Sequence, residues 1–406
     1  EPIMEKLIFL IIFIALALIP IAQEIQHEAI AINIEVPVRI YKGDNFVDDL
    51  TINDFVVYED GILQEVLAVY LIKKTDIQRK EEMPTPKEEV KQIFKPDTSR
   101  SFYLLFEVVE YSPKFSESID YFFQNVLLPS DNLTIVTPMN TYRLKSEALS
   151  RVSTEEAINQ IRKILRKDAW SGNSEYRRLN NDLIRLVRAM SPSSSIYDEL
   201  TPIGAIDDPL EKYEETMSRL ESIRNVDQKR LLDFAEYLKE QPGQKYVFLF
   251  YQREFIPQLK DDAYMAAIHR NDPYEQLKIT AQMGYYFRNL GIDIERIKQA
   301  YADSLISINF LFFTKPAEHI PGIQMVEHSE DIFSVFREMA QATGGITTSS
   351  ANPEYLFQRA SDAVDSYYLL YYSPKNYKAD GKFKSIEVKV RGKNYRVTHR
   401  AGYIAD

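Results

Sequence analysis

The chain has 406 residues, of which 45% are hydrophobic and 27% are charged, a balance typical of a soluble protein with one large core and a smaller second one. The 60 acidic residues exceed the 49 basic ones and give a formal net charge of -11, which argues against nucleic acid as a partner. The sequence has no cysteine, so disulfides, zinc–thiolate sites and thiol nucleophiles are excluded.

The first 22 residues contain an apolar stretch, LIFLIIFIALALIPIA, which follows Met4, Glu5 and Lys6. Its length and its interruption by Pro20 are typical of a secretory signal rather than of a membrane span. We therefore predict a signal peptide over residues 1–22, with an uncleaved membrane anchor as the alternative. A lipoprotein is excluded by the missing cysteine.

Residues 27–75 have the pattern of a small β module. In AINIEVPVRIY, apolar and polar residues alternate, and Asp60-Gly61 forms a turn signal between two β-rich runs, which predicts a hairpin. Residues 76–99 are dense in charge, contain three prolines and are predicted to form a linker.

In residues 100–365, short apolar runs alternate with helical segments. The runs FYLLFEVV, NLTIVTP, KYVFLFY and LISINFLFF predict buried strands. Strands that alternate with helices predict an α/β fold with a doubly wound, mostly parallel sheet. The helical stretch between the second and third runs is longer than one crossover requires and predicts an insertion at about 150–240, and a further helix-rich insertion is predicted at 258–303.

Residues 366–406 return to a β pattern, in which Ile386, Val388 and Val390 alternate with charged residues. Because such strands have an apolar face that they cannot bury alone, we predict that the two ends of the chain pair into one small antiparallel β-sandwich. Gly344-Gly345, just before this region, is interpreted as the end of a helix that leads into a strand, rather than as an anion-binding nest.

The two ends of the chain resemble the von Willebrand factor A (VWA)-related proteins of acidobacteria and allied bacteria. The segment VPVRIYKGDNFVDDLTINDFVVYEDGILQEV is similar to the strand and the L-x-x-x-D-F-x-V-Y-E-D-G hairpin of that family, and LFQRASDAVDSYYLLYYSP and YRVTHRAGYIA resemble its closing helix and strands. The resemblance covers roughly residues 30–145 and 240–405. It implies a VWA-like α/β domain flanked by the terminal β-sandwich. It also implies a bacterial protein that is secreted, periplasmic or associated with the cell envelope.

In metal-binding members of this family, the first strand ends in D-x-S-x-S, whose oxygens help to hold a divalent cation. The aligned positions here are Glu107, Val109 and Tyr111, and the third loop reads Gln252-Arg253-Glu254 where the family often has Ser-Asp-Gly. The resemblance therefore implies a degenerate metal-ion-dependent adhesion site without a metal ion or cofactor. A Ser-rich loop at 191–199 is a further candidate source of a hydroxyl. The binding face would consist of Glu107, Glu110, Tyr111, Ser112, Gln252 and Arg253. The simpler interpretation of Glu107, Glu110 and Ser112 is a turn, with Ser112 as the N-cap of the next helix.

The sequence contains no G-x-S-x-G elbow, H-E-x-x-H motif, P-loop or G-x-G-x-x-G motif, and we predict that the protein is not an enzyme. The expected function is protein–protein interaction, or envelope or extracellular assembly, with protein partners and with membrane contact only through an uncleaved signal segment. One alternative is a metal-dependent receptor or enzyme whose site is built partly from the helical insertion. Another is a structural subunit of a surface assembly, which would form an oligomer.

Overall fold

The computed structural model describes residues 32–83, 94–149, 151–190, 207–258, 291–321, 323–392 and 394–406. Asn33–Asp406 form one unit, to which all of the following refers. The signal peptide predicted at 1–22, the Ser-rich loop at 191–199 and most of the insertion predicted at 258–303 lie outside the described residues. Among the described residues, no helix has the length and apolar character needed to cross a membrane.

The strands and helices follow one another in three blocks: β strands, mixed strands and helices, and β strands again. The strands are β1 (Ile34–Lys42), β2 (Asn45–Phe46), β3 (Phe55–Glu59), β4 (Ile62–Gln64), β5 (Val66–Lys73), β6 (Asp76–Glu82), β7 (Arg100–Glu107), β8 (Asn132–Val136), β9 (Thr141–Leu144), β10 (Gln244–Gln252), β11 (Phe255–Gln258), β12 (Ile306–Phe313), β13 (Gln324–Glu327), β14 (Thr347–Ser350), β15 (Ser366–Tyr372), β16 (Phe383–Val390), β17 (Arg396–His399) and β18 (Gly402–Ile404). The helices are α1 (Lys114–Tyr121), α2 (Ser146–Leu149), α3 (Thr154–Gly172), α4 (Ser174–Met190), α5 (Asp207–Ile223), α6 (Gln228–Lys239), α7 (Ile294–Asp303), α8 (Glu330–Ala342) and α9 (Pro353–Asp365).

The central sheet has the strand order β14-β12-β10-β7-β8-β9. Strands β14, β12, β10, β7 and β8 run parallel, and β9 pairs antiparallel with β8. One face packs against α1, α3 and α9, and the other packs against α6, α7 and α8. Because helices cover both faces, every residue of β10 and β12 is buried.

The two ends of the chain form antiparallel sheets with each other. One sheet has the order β17-β1-β15-β5-β6, with β2 paired to β1, and a second has the order β18-β16-β3-β4. C-terminal β15 lies between N-terminal β1 and β5, and C-terminal β16 pairs with β3. Tyr367, Tyr368 and Tyr372 of β15 are fully buried, so this strand belongs to the core of the β region.

The predicted fold class, a doubly wound and mostly parallel sheet with a small sandwich, is wrong. The chain is a mixed α/β protein in which the central sheet is itself mixed and the antiparallel sheets of the described residues have six, four and, for β11 with β13, two strands. The prediction failed because it did not recognise short polar strands. The TYRL segment of β9 is exposed or half-buried, and β6 is almost entirely charged and lies within the segment predicted to be a linker. Such strands lack a buried face, because edge strands are solvated, and their sequences resemble loops.

Buried charges lie between the central sheet and the antiparallel sheet that contains β1. Lys245 is 4% exposed and donates a hydrogen bond to the Gln241 carbonyl oxygen at 2.9 Å. Burial lowers the pKa of Lys245 to about 8; the negative charge of Glu35 opposes this shift, and the positive charge of Arg400 reinforces it. The charged form of Lys245 is therefore disfavoured in the folded protein.

Lys245 makes the free energy of unfolding depend on pH in the alkaline range. Between pH 8 and 10.5, folded Lys245 loses its proton while an unfolded lysine keeps it, so the free energy of unfolding gains a contribution that rises with pH. We expect Lys245→Met to remove this rise in urea unfolding measured at several pH values. The control is Lys229→Met, which alters an exposed lysine. Parallel pH profiles for wild type and Lys245→Met would contradict the assignment.

Candidate functional site

The loop between β7 and α1 contains the positions that the VWA resemblance assigns to the metal site. Val109 is buried in a cluster formed with α4 and α5, and Tyr111 packs against the core on the α1 side of the sheet. The two positions at which the family has serine hydroxyls therefore hold packing residues. Helix α1 begins at Lys114 with Pro113 at the N-cap, and the Ser112 hydroxyl accepts a long, 3.4 Å hydrogen bond from the Lys114 N–H. The predicted N-cap is thus one residue too early.

Glu110 is held by two neighbouring loops. Its backbone N–H donates to Oε1 of the buried Gln252 at 3.0 Å, and its carboxylate lies 2.9 Å from Nζ of Lys315. The first contact ties the end of β7 to the end of β10, and the second ties it to the segment after β12. Since the ion pair is partly exposed, it contributes at most about 1 kcal/mol to stability.

Arg253 is anchored in the same region. Its Nε lies 3.1 Å from Oε1 of Glu327, and its backbone N–H donates to the Phe313 carbonyl oxygen at 2.9 Å. Its guanidinium carbon also lies 5.7 Å from the centroid of the Phe312 ring. The third loop therefore presents the positively charged Arg253 side chain, where a metal site would require a negatively charged one. Within the described ranges, no group of three or more His, Asp or Glu side chains is placed to hold a metal ion.

Of the six predicted residues, Glu107 alone lines a cavity of about 370 Å³ at the carboxyl ends of β7 and β10. The Glu107 side chain is exposed through the open side of this cavity, and protein atoms lie on its other sides. In the part of the chain that the structure describes, no side chain forms a hydrogen bond or an ion pair with this carboxylate. Burial raises the pKa of Glu107, and the positive charge of Arg224 opposes the increase.

A buried polar group forms one wall of this cavity. Arg224, just after α5, makes an ion pair with Glu254, and the two side chains are 7% and 6% exposed. The Arg224 Nη2 donates to the Tyr251 hydroxyl at 2.7 Å, and that hydroxyl donates to Glu254 at 3.3 Å. Sequence reasoning missed Arg224, because it lies in the unmatched insertion and no local pattern connects it with Glu254.

The C-terminal end of α3 is fixed at the carboxyl edge of the sheet by buried Asp168. This carboxylate accepts hydrogen bonds from the Thr137 hydroxyl at 2.7 Å, the Tyr142 hydroxyl at 2.8 Å and the Asn140 amide at 3.3 Å. Burial alone would raise the pKa of Asp168, but these hydrogen bonds outweigh it and the pKa is lowered. The end of α3 is therefore rigidly joined to the β8–β9 hairpin.

Trp170, the single tryptophan of the chain, projects from this fixed helix end. It is 70% exposed, and the Arg177 guanidinium lies 4.2 Å from the centroid of its ring. Three exposed cations, Lys163, Arg166 and Lys167, precede Trp170 by seven, four and three residues, which places all four side chains on one face of α3. None of these three cations forms an ion pair with another described residue. We call these four residues the basic–aromatic face.

Comparisons with known proteins identify no family. Neither the protein-family models nor the curated proteins contain a match to this sequence. Among solved structures, the chain is similar to the human COPII-coat protein Sec24c, with 8% sequence identity and a TM-score of 0.30 over 77% of this chain. The match spans 44% of that protein's chain, and a likeness at this level carries no argument about fold or function.

Proposed function

We propose that the protein is an exported, non-enzymatic binding protein of the VWA-related type that engages an acidic protein partner without a bridging metal ion. The observation that carries the proposal is the basic–aromatic face: a 70% exposed Trp170 beside three exposed cations that pair with no other described residue, on a chain whose net charge is -11. Tryptophan is enriched among residues that dominate binding energy, and charge complementarity accelerates association.

The position of this face supports the proposal. It lies next to the carboxyl ends of the parallel strands, the edge at which open α/β sheets bind ligands. The hydrogen bonds to Asp168 hold α3 before a partner arrives, so little conformational entropy is lost on binding. Met139, which is 50% exposed and lies against Gly172, extends the apolar area beside Trp170.

The loops that would hold a metal ion support metal independence. Glu110 pairs with Lys315, Arg253 pairs with Glu327, and Gln252 bridges the ends of two strands. Protein side chains thus supply the cross-links that a cation would otherwise provide.

A titration monitored by Trp170 fluorescence tests the proposal. We expect a peptide of alternating aspartate and phenylalanine to change the emission of the full chain, with an affinity that falls as salt increases. Trp170→Ala and Lys163→Ala/Lys167→Ala are expected to weaken binding about tenfold or more each in calorimetric titration, since residues at the centre of an interface contribute ~2 kcal/mol or more.

The controls separate this proposal from cation-dependent adhesion. Lys229→Ala removes an exposed lysine on α6 and should leave binding unchanged, as should EDTA. A peptide of alternating lysine and phenylalanine should not bind. Binding of the acidic peptide that requires magnesium, calcium or manganese, or that survives Trp170→Ala unchanged, would overturn the proposal.

A further inference from the structure

The cavity beside Glu107 is lined by both apolar and charged side chains. Its floor is the sheet face formed by residues such as Leu105, Leu249 and Ile308, and its opposite wall includes Phe234 of α6 and Phe336 of α8. Leu105 lies in a central strand and is nevertheless only half-buried, because its side chain faces this space. A volume of about 370 Å³ falls within the range of roughly 300–1,000 Å³ that is typical of small-molecule sites.

Among the described residues, the charged groups that line this cavity are paired, except for Glu107. Glu254 is paired with Arg224, Glu175 with Arg219 and Arg178, and Asp227 with Arg230. Glu107 is the carboxylate on the cavity wall that has no hydrogen-bond or ion-pair partner within the described residues. The Glu107 side chain is exposed to the cavity, so its carboxylate oxygens are accessible to a ligand that donates hydrogen bonds.

We propose that this cavity is a binding site for a small apolar molecule that carries one primary amine, with the ammonium group bound by the Glu107 carboxylate. The apolar walls accept the body of the ligand, and the ammonium group supplies the hydrogen bonds and the positive charge that Glu107 lacks. An anionic ligand would meet the uncompensated carboxylate, while the nearby guanidinium of Arg224 is already engaged by Glu254 and Tyr251.

This site is different in chemistry from the basic–aromatic face. That face presents exposed cations to an acidic macromolecule, whereas the cavity presents the Glu107 carboxylate beside an apolar floor. The two sites are close along the chain, since Gly172 and Asn173, which line the cavity, follow Trp170 directly after Ser171. Trp170 fluorescence therefore serves as a second readout of cavity occupancy.

Calorimetric titration of the full chain with three matched compounds tests the assignment. The compounds are 4-phenylbutylamine, the uncharged 4-phenylbutanol and the anionic 4-phenylbutanoate. We expect the amine to bind wild type about tenfold or more tightly than the alcohol, because hydrogen bonds to a charged group are the stronger ones, and we expect no binding of the anion. Glu107→Gln should reduce amine affinity to that of the alcohol and leave alcohol binding unchanged.

Two further variants keep the test decisive. Leu105→Phe, which adds volume to the apolar floor, should weaken both the amine and the alcohol about tenfold or more. Glu117→Gln, on α1 at the opposite face of the sheet, should bind both as wild type does. Because Glu107→Gln removes an unpaired charge, its midpoint of thermal unfolding should equal or exceed that of wild type. Equal amine affinity in wild type and Glu107→Gln, tighter binding of the anion, or no binding of any compound to wild type would overturn the proposal.

Discussion

Asp131→Ala is expected to reduce the free energy of unfolding by about 3–5 kcal/mol, because it leaves a buried arginine without its counter-ion. The side chains of Arg100 and Asp131 are both 0% exposed. The Arg100 Nη2 lies 2.6 Å from Asp131 Oδ2, and its Nε lies 3.1 Å from Oδ1. The same carboxylate also accepts the Leu128 N–H at 2.7 Å, so the substitution removes three hydrogen bonds from the region before β8.

Urea unfolding followed by circular dichroism measures this loss. Asp48→Ala is the matched control, since Asp48 pairs with Lys73 at the surface, where the side chains are 54% and 44% exposed; the expected loss there is about 1 kcal/mol or less. The double variant Arg100→Met/Asp131→Ala should recover part of the stability, because it removes the unpaired charge. A loss as small as that of Asp48→Ala would show that the buried pair has no special role.

Gly345→Ala is expected to destabilise the protein by about 3 kcal/mol through a clash with backbone. The added Cβ would overlap the carbonyl oxygen of Ile308 in β12, which has no flexible side chain to move aside. The residue before it, Gly344, ends α8 with a φ of +69°, and the Gly345 N–H donates to the Ala340 carbonyl oxygen at 3.0 Å. The glycine pair thus ends the helix and brings it against the central sheet.

Thermal and urea unfolding test this effect against a turn glycine. Gly381 has a φ of +65° and no atom within 4 Å of an added Cβ, so Gly381→Ala should cost only the left-handed backbone penalty of roughly 1–2 kcal/mol. Because of its clash, Gly345→Ala should lose more free energy of unfolding than Gly381→Ala. It should also refold more slowly after dilution from urea. Equal losses in the two variants would mean that the close approach to Ile308 relaxes freely.

Several strands could be predicted because their local sequences required burial. The apolar runs FYLLFEVV, NLTIVTP, KYVFLFY and LISINFLFF lie in or overlap β7, β8, β10 and β12, which are neighbours in the central sheet. Strands at the edges could not be predicted in this way. The DIQRKEE segment of β6 has almost no apolar residues, and its pairing with β5 depends on the backbone of a distant strand rather than on its own side chains.

The candidate sites also include one residue that the sequence identified and one that it did not. Glu107 was identified because it ends an apolar strand, at a position where the VWA-related proteins that the sequence resembles place a carboxylate. The structure places Glu107 in the lining of the cavity, of which the other five predicted residues are not part. Trp170 was not identified from the sequence, because the pattern of an amphipathic helix with one tryptophan does not tell whether the ring is buried or exposed.

The sequence by itself determined the composition limits, the absence of cysteine chemistry, the order of β, α/β and β segments, and the lack of serine hydroxyls at Val109 and Tyr111. These properties depend on residue identity and on spacing along a short stretch of chain. Only the tertiary structure decided which charges are paired. Arg224 and Glu254 are 30 residues apart, and among the described residues Arg224 pairs with Glu254 rather than with Glu107. Pairing over such separations is set by packing of the whole chain, so local patterns do not contain it.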